Sequence, residues 1–443
     1  EYTDEGSGVV GLSLGSYTSS KVLVLEWGFF PKEVEEDDYN EGVYWSTVYG
    51  IYNSGDKIVD CQYFSNGRPA LLLQTQSQKF PDIPEANDLG DLTGLTDIAI
   101  HQFDDSRASW WATYWGGTLT DVPEEMAVHN TQGYYVTGYT TSEDFYTEEY
   151  PGGFFDDAFT GTASEGFITR INSFGTSSSW STYVTGTDHL YTIDFSYDQN
   201  EFSIGGTVDA ELSVEDILLV DAGGTAFYEE DADNSKNAFS YIASFDNSIL
   251  EAIWASKYWG LRISSLAYGQ EKEGFTDYDR INIGGYITDA FYFETVDASD
   301  GGNAIGESFD FGEGDLDIFF TTFNYNKEVI WSTPYGGDGT DYLNKIVKGE
   351  WDNSEGIDGT TIYALGSTGN NYGETEMVWP AETTYSGSEY YYKDEFNDVV
   401  SPFTYSFDGF IIKFGPSRSI LYSTLFGGSG NDEIYDAGFS SDF

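Results

Sequence analysis

An all-β, six-bladed β-propeller of four-stranded blades is the fold class this sequence predicts, on three observations. A short motif, an aromatic residue followed by Ser or Ala and then Thr or Ser, recurs at Trp45, Trp111, Trp180, Trp254, Trp331 and Tyr422. The steps of 66, 69, 74, 77 and 91 residues are those of one unit carrying ever longer insertions, the mark of a repeat architecture. Composition agrees: 35 Tyr, 32 Phe and 11 Trp are interleaved with 51 Gly, aromatic residues favouring strands and glycine favouring turns. Finally, the two ends of the chain are out of phase, so that each supplies what the other lacks.

The unit that follows Trp111 shows the strands most plainly. Residues 124–130 ("EEMAVHN") are a short alternating run, strand A, and 133–141 ("GYYVTGYTT") are strand B. After an excursion come 165–172 ("EGFITRIN"), strand C, and 178–186 ("SSWSTYVTG"), strand D, which carries the motif. Period-two alternation with turn residues between the runs reads as four antiparallel strands, the make-up of a propeller blade. Strand C recurs at 96–103, 237–245, 316–323 and 408–414, and strand B as "ALLLQTQS", "FSIGGTVD", "INIGGYIT" and "TIYALGST". The bulky aromatic that opens each strand D is expected to fill the widening gap between blades.

Residues 8–20 align with strand B, and strands C and D follow within 8–50, whereas 433–443 align with strand A. The expectation is a single domain, 1–443, whose N-terminal strands 8–50 complete the last blade with 433–443. Closure of that kind removes a free sheet edge.

The net charge is −58, from 76 acidic and 18 basic residues. So few cations cannot neutralise phosphates, which excludes nucleic acid and disfavours anionic membrane surfaces. Self-repulsion on this scale suits a salty medium or bound divalent cations. The chain begins without Met, apolar leader or membrane span, which reads as a processed mature form. Cys61 is the single cysteine; an internal disulfide is impossible, and the expected role is that of a small buried hydrophobe.

In "WATYWGG…AVHNTQGYYVTGYTTSEDF" and "DGFIIKF…ILYSTLFGGSGNDEI" the chain resembles the bacterial β-propeller repeat family abbreviated SBBP. The family's repeat is an aromatic-Ser-Thr-x-x-Gly-Gly strand, a Gly/Asp turn and a "YVTG-T-S" strand. The resemblance implies a secreted or surface-exposed bacterial protein, often of Bacteroidota, without an agreed catalytic activity.

All the long excursions fall between strands B and C, at 76–94, 140–166, 208–237, 287–315 and 369–409. They hold 146 residues, with 36 of the acids and only three basic residues, Lys79, Lys236 and Lys393, a net −33. One face of the disc is therefore expected to be a thick, acidic, Tyr-rich canopy and the other to carry plain short turns. Tyr and Trp at the density of "SEYYYKDEF", "FYEED" and "FTDYDR" suit sugar stacking or a protein interface, and equally a packed loop crust.

The D–A turns "GGDGTDYLN" and "GGSGNDEIY" match the calcium-binding nonapeptide G-G-x-G-x-D-x-U-x. Carboxylate and carbonyl oxygens suit Ca²⁺, with Asp338, Asp341, Asn431 and Asp432 as candidate ligands. Each copy stands alone, however, without the tandem neighbour that completes such a site, and the other reading has Asp341 and Asp432 accepting backbone N–H bonds within the turn. "FDFGEGDLD" (309–317) is a further acid-Gly cluster.

No nucleophile elbow, zinc-protease helix or phosphate loop occurs, and His101, His129 and His189 lie in different units. With no catalytic residue or required cofactor to name, the sequence points to a non-enzymatic binding or assembly module at a bacterial cell surface. Its partner would be another envelope protein, met by the acidic face, or a glycan, with neither nucleic acid nor membrane insertion. The alternative is a lectin, or a carbohydrate-active enzyme with paired carboxylates near the central channel.

Overall fold

A computed structural model describes residues 55–64, 67–78, 92–104, 106–160, 163–208, 217–229, 239–287, 316–336, 340–353, 357–369, 407–427 and 431–437. It adds short strands at 2–4, 10–12, 22–23, 48–49 and 88–89, and a single bridge residue at 296. Among the described residues there are strands and no helix.

The chain forms a β-propeller-like array of five successive four-stranded antiparallel groups, each in the order A-B-C-D. Sheet I comprises Lys57–Tyr63, Pro69–Thr75, Asp97–Phe103 and Ser109–Trp115. Sheet II comprises Asp121–His129, Gly133–Thr140, Glu165–Ile171 and Ser178–Tyr183. Thr187–Phe195, Glu201–Val208, Phe239–Asp246 and Glu251–Trp259 make sheet III. Leu261–Glu273, Thr276–Ile287, Ile318–Phe323 and Val329–Tyr335 make sheet IV. Sheet V is Asp341–Asp352, Gly359–Gly369, Phe407–Phe414 and Ile420–Phe426.

The motif aromatic does what its position suggests. Trp111, Trp180, Trp254 and Trp331 are buried, each against the following sheet. Trp111 meets Tyr134, Trp180 meets Phe245, Trp254 meets Phe323 and Trp331 meets Phe414, at centroid distances of 5.2 to 6.1 Å. Edge-to-face contacts of this kind add to the burial of large apolar area. The core is thus a series of layers between sheets.

Strand A of each sheet contacts strand A of the next, so the five first strands gather around one axis. Every one of them carries a bulge at the same place: the register slips between Ile58 and Asp60, Pro123 and Glu125, Leu190 and Thr192, Ile263 and Ser265, and Leu343 and Lys345. A bulge re-aims the side chain that follows it. Here that residue accepts a bond from the next sheet's backbone. Asp60 takes the N–H of Met126 at 2.9 Å, Glu125 that of Ile193 at 2.8 Å, Thr192 that of Leu266 at 3.0 Å and Ser265 that of Ile346 at 2.9 Å.

The B–C excursions do leave each sheet at the same place. Their described segments run along the outside of strand D, and most of the residues expected to form the acidic canopy lie outside the described residues. Asp88–Leu89 pairs with Ala112–Thr113, Glu148 bridges Ser181, Val220 bridges Ala255 and Val296 bridges Ser332. The pairing in each case includes the small Ser or Ala of the repeated motif. The opposite face is not plain: Phe174, Tyr197, Phe275 and Tyr325 stand exposed on its A–B and C–D turns.

The pairing expected between 8–50 and 433–443 falls largely outside the described residues. Tyr2–Asp4 pairs with Val10–Leu12 and Val22–Leu23 with Val48–Tyr49, while 431–437 carries no strand. Cys61 corrects the expectation of a buried thiol, for it is exposed. Its counterparts after the bulge, Met126, Ile193, Leu266 and Ile346, are at most 2% exposed and pack between sheets.

Candidate functional site

The D–A turns come first, since the sequence singles them out for metal. Asp341 is buried at the start of its strand A, and its N–H donates to the Leu316 carbonyl at 2.7 Å. Asp432 does the same with Phe407, and so, in a third copy, does Asp121 with Thr96 at 2.8 Å. Each of the three faces a second carboxylate, from the start of the preceding strand C: Asp317, Asp408 and Asp97 respectively. A Cβ placed on Gly336 or Gly116 would collide with both acids of its pair, which is why the turn opens with glycine.

Asp121 shows what the turn aspartate does. Its carboxylate accepts the Gly117 N–H at 2.6 Å, the Ser142 hydroxyl at 3.3 Å and the Thr140 hydroxyl. Burial, with Asp97 adding repulsion, pushes it up to about 6 against those bonds. The sequence reading missed this copy because "GGTLTD" has Leu119 where the metal consensus has its third glycine. Asn431 is exposed and Asp338 lies outside the described residues. Among the described residues no three potential metal ligands gather; Asp341 and Asp432 are each brought beside one further carboxylate.

The three histidines are likewise separate. His101 is buried and stacked on Phe103 at 4.4 Å, and burial lowers its pKa to about 4. His129 caps a turn, its Nδ1 accepting the N–H groups of Thr131 and Gln132. His189 belongs to a larger constellation.

That constellation lies where the first strands begin, at the mouth of the axis on the side of the B–C excursions. His189 stacks on Tyr139 at 3.8 Å, and its Nδ1 is 3.0 Å from the Tyr191 hydroxyl. Tyr191 in turn accepts a bond of 2.8 Å from the Arg262 guanidinium. The same guanidinium sits over the rings of Tyr191 and Tyr286 at 5.7 and 6.0 Å. Tyr286 meets Tyr342 edge-on at 6.1 Å, and Tyr342 is 37% exposed. Burial lowers the His189 pKa, the nearby Asp188 working the other way and Arg262 adding to the fall. Glu124, the bulged residue of sheet II, is pushed up to about 7 by burial, with Lys57 opposing. The arc Tyr139–His189–Tyr191–Arg262–Tyr286–Tyr342 thus draws on sheets II to V and offers aromatic faces, one guanidinium and a carboxyl that titrates near neutrality.

Below the mouth the axis is plugged by charge. Lys345, at the fifth bulge, has no hydroxyl or carboxylate to offer the next strand; its ammonium instead reaches Glu125 on the opposite side. Asp60 and Asp436 lie close enough to raise its pKa further against the effect of burial.

No protein-family model and no curated protein matches the chain. Two solved structures show a distant likeness. Hydrazine synthase of Kuenenia stuttgartiensis is 9% identical over 86% of this chain and 68% of that one, with a TM-score of 0.36. A variant of the apocarotenoid oxygenase of Synechocystis is 6% identical over 84% of this chain and 62% of that one, less than two thirds of its length, with a TM-score of 0.35. Neither likeness is near enough to carry an argument about what this chain does.

Proposed function

We propose that the chain is an extracellular, non-enzymatic binding module, a six-bladed propeller at a bacterial cell surface that takes a glycan at the mouth of its axis. The sixth blade is supported by register. Ile434-Tyr435-Asp436 repeats the spacing of Ile58-Val59-Asp60 and Leu343-Asn344-Lys345, and Asn344 Nδ2 donates to the Ile434 carbonyl at 2.9 Å. With six blades, sheets II and V stand opposite each other, an arrangement that accommodates the contact between Glu125 and Lys345.

The observation that carries the binding reading is the division of labour along the first strands. Deep polar side chains are committed to bonds between sheets, whereas the Tyr/His/Arg arc at the mouth is only half-buried. Aromatic faces beside polar donors are what sugar rings need. The acid pairs that a glycosidase would use sit instead at sheet junctions, held by turn N–H groups and hydroxyls. A protein partner on the acidic excursions is the second reading, favoured by their net charge. A glycan array followed by Tyr191→Ala and Tyr286→Ala tests the first: specific binding lost in both variants supports it, and binding that survives both moves the contact elsewhere. Six spokes in particle images would support the blade count, and seven would refute it.

A further inference from the structure

The surroundings of Arg262 differ from those of the ion-paired cations; its parallel is the more deeply buried Arg170 of sheet II, held by Gln132, the Tyr135 hydroxyl and the rings of Tyr135 and Tyr150. In a chain with 76 acids, a basic side chain ordinarily finds one. Lys327 pairs with Glu201, Arg280 with Glu271 and Glu273, Arg418 with Glu271, Lys413 with Glu350 and Lys272 with Asp358. Arg262 has no carboxylate within ion-pair distance among the described residues; two tyrosines hold it, one through its hydroxyl at 2.8 Å and both through their faces. The nearest acid on the neighbouring strand, Asp188, is already occupied by the Thr207 hydroxyl and the His189 N–H.

A guanidinium has five donors in a planar fork that fits a carboxylate in two bonds. Tyrosine hydroxyls and rings keep that fork charged and oriented without neutralising it. Flanking aromatic faces, Tyr139 with His189 on one side and Tyr286 with Tyr342 on the other, suit the flat apolar faces of a sugar. We infer that the mouth of the axis binds an acidic glycan, with Arg262 taking the sugar carboxylate and the tyrosine arc stacking on the rings. This rests on the glycan reading above and narrows it to one ligand class.

Titration calorimetry in about 0.5 M NaCl, where screening shortens the reach of the global negative charge to a few ångströms, tests it. The probes are trigalacturonate, a hyaluronan tetrasaccharide and sialyllactose, each beside its carboxyl-methylated form, with a sulfated disaccharide as a second anion. At least one acidic probe should bind, at least tenfold more tightly than its methyl ester. Arg262→Met should abolish that difference, and Arg262→Lys, keeping charge but not the fork, should recover part of it. Lys272→Met, at the far end of the same strand, should change nothing, and circular dichroism confirms that each variant is folded. Equal binding of acid and ester, tighter binding of the sulfated probe, or a wild-type profile in Arg262→Met overturns the inference while leaving glycan binding intact. No binding of any oligosaccharide overturns both.

Discussion

The ammonium of Lys345 meets the carboxylate of Glu125 across the axis, joining first strands whose residues lie 220 positions apart in the chain. Their side chains are 17% and 8% exposed. Removing one member of such a pair leaves the other charge buried, at about 3–5 kcal/mol, whereas replacing both with apolar groups is often close to neutral. Lys345→Met should therefore lower stability by about that amount, and Lys345→Met with Glu125→Gln, which removes both charges but keeps an acceptor for the Ile193 N–H, should regain most of it. Urea midpoints of the two single variants and the double measure this; additive losses would mean that the contact is incidental.

Glu124 predicts a pH dependence at the mouth. Its pKa is raised by burial to about 7, so the native state favours the protonated carboxyl. The stability this gives is fully present below the ordinary glutamate pKa and is lost as the pH rises through about 7. Glu124→Gln should flatten the profile between pH 5 and 8 and be the more stable protein at pH 8, by on the order of 1–3 kcal/mol. Thermal unfolding against pH reads it, and parallel curves for the two proteins would contradict it.

The motif tryptophans predict a local effect. Trp180 Nε1 donates to the Phe154 carbonyl at 2.8 Å, and the Phe154 N–H donates to the Leu250 carbonyl of the next sheet at 2.8 Å. Trp254, Phe227 and Lys327 repeat this at 2.7 and 2.8 Å. Trp180→Phe keeps most of the filler and leaves a carbonyl without its donor, which costs about 1–3 kcal/mol. Faster hydrogen exchange at Phe154, with sheet III unaffected, is the expected result; unchanged exchange would mean that the excursion is held by other contacts.

Calcium gives a fourth test. On the reading that the Asp341 and Asp432 carboxylates hold the D–A turn as that of Asp121 does, chelator should leave the thermal midpoint unchanged, and Asp341→Ala should lower it with or without Ca²⁺. A rise of several degrees on adding millimolar Ca²⁺, absent in Asp341→Asn, would restore the metal site.

The strands were legible because two signals coincided at each of them. The Trp-[Ser/Ala]-Thr motif marked strand D, and period-two alternation marked its neighbours, so that the expected 133–141 and 165–172 match Gly133–Thr140 and Glu165–Ile171. The path of the excursions was not legible, since Glu148 and Val220 pair through backbone groups, which every residue possesses. Nor was the aromatic arc at the mouth of the axis. Tyr139, Tyr191 and Arg262 come from three successive sheets, Tyr191 being the residue passed over in the slip between Leu190 and Thr192, and a bulge leaves no mark in composition. Asp121 was overlooked for a different reason: its turn shares the physics of Asp341 without the metal consensus.

The stapling of the excursions of sheets II and III to the sheet after their own bears on how such a chain can grow. Phe154 and Phe227 are fastened at only a few backbone atoms, and between those anchors the polypeptide is free to lengthen. New sequence can thus accumulate on the perimeter, unit by unit, without disturbing the hub, and a lineage can alter what its outer wall presents while the axis stays as it was.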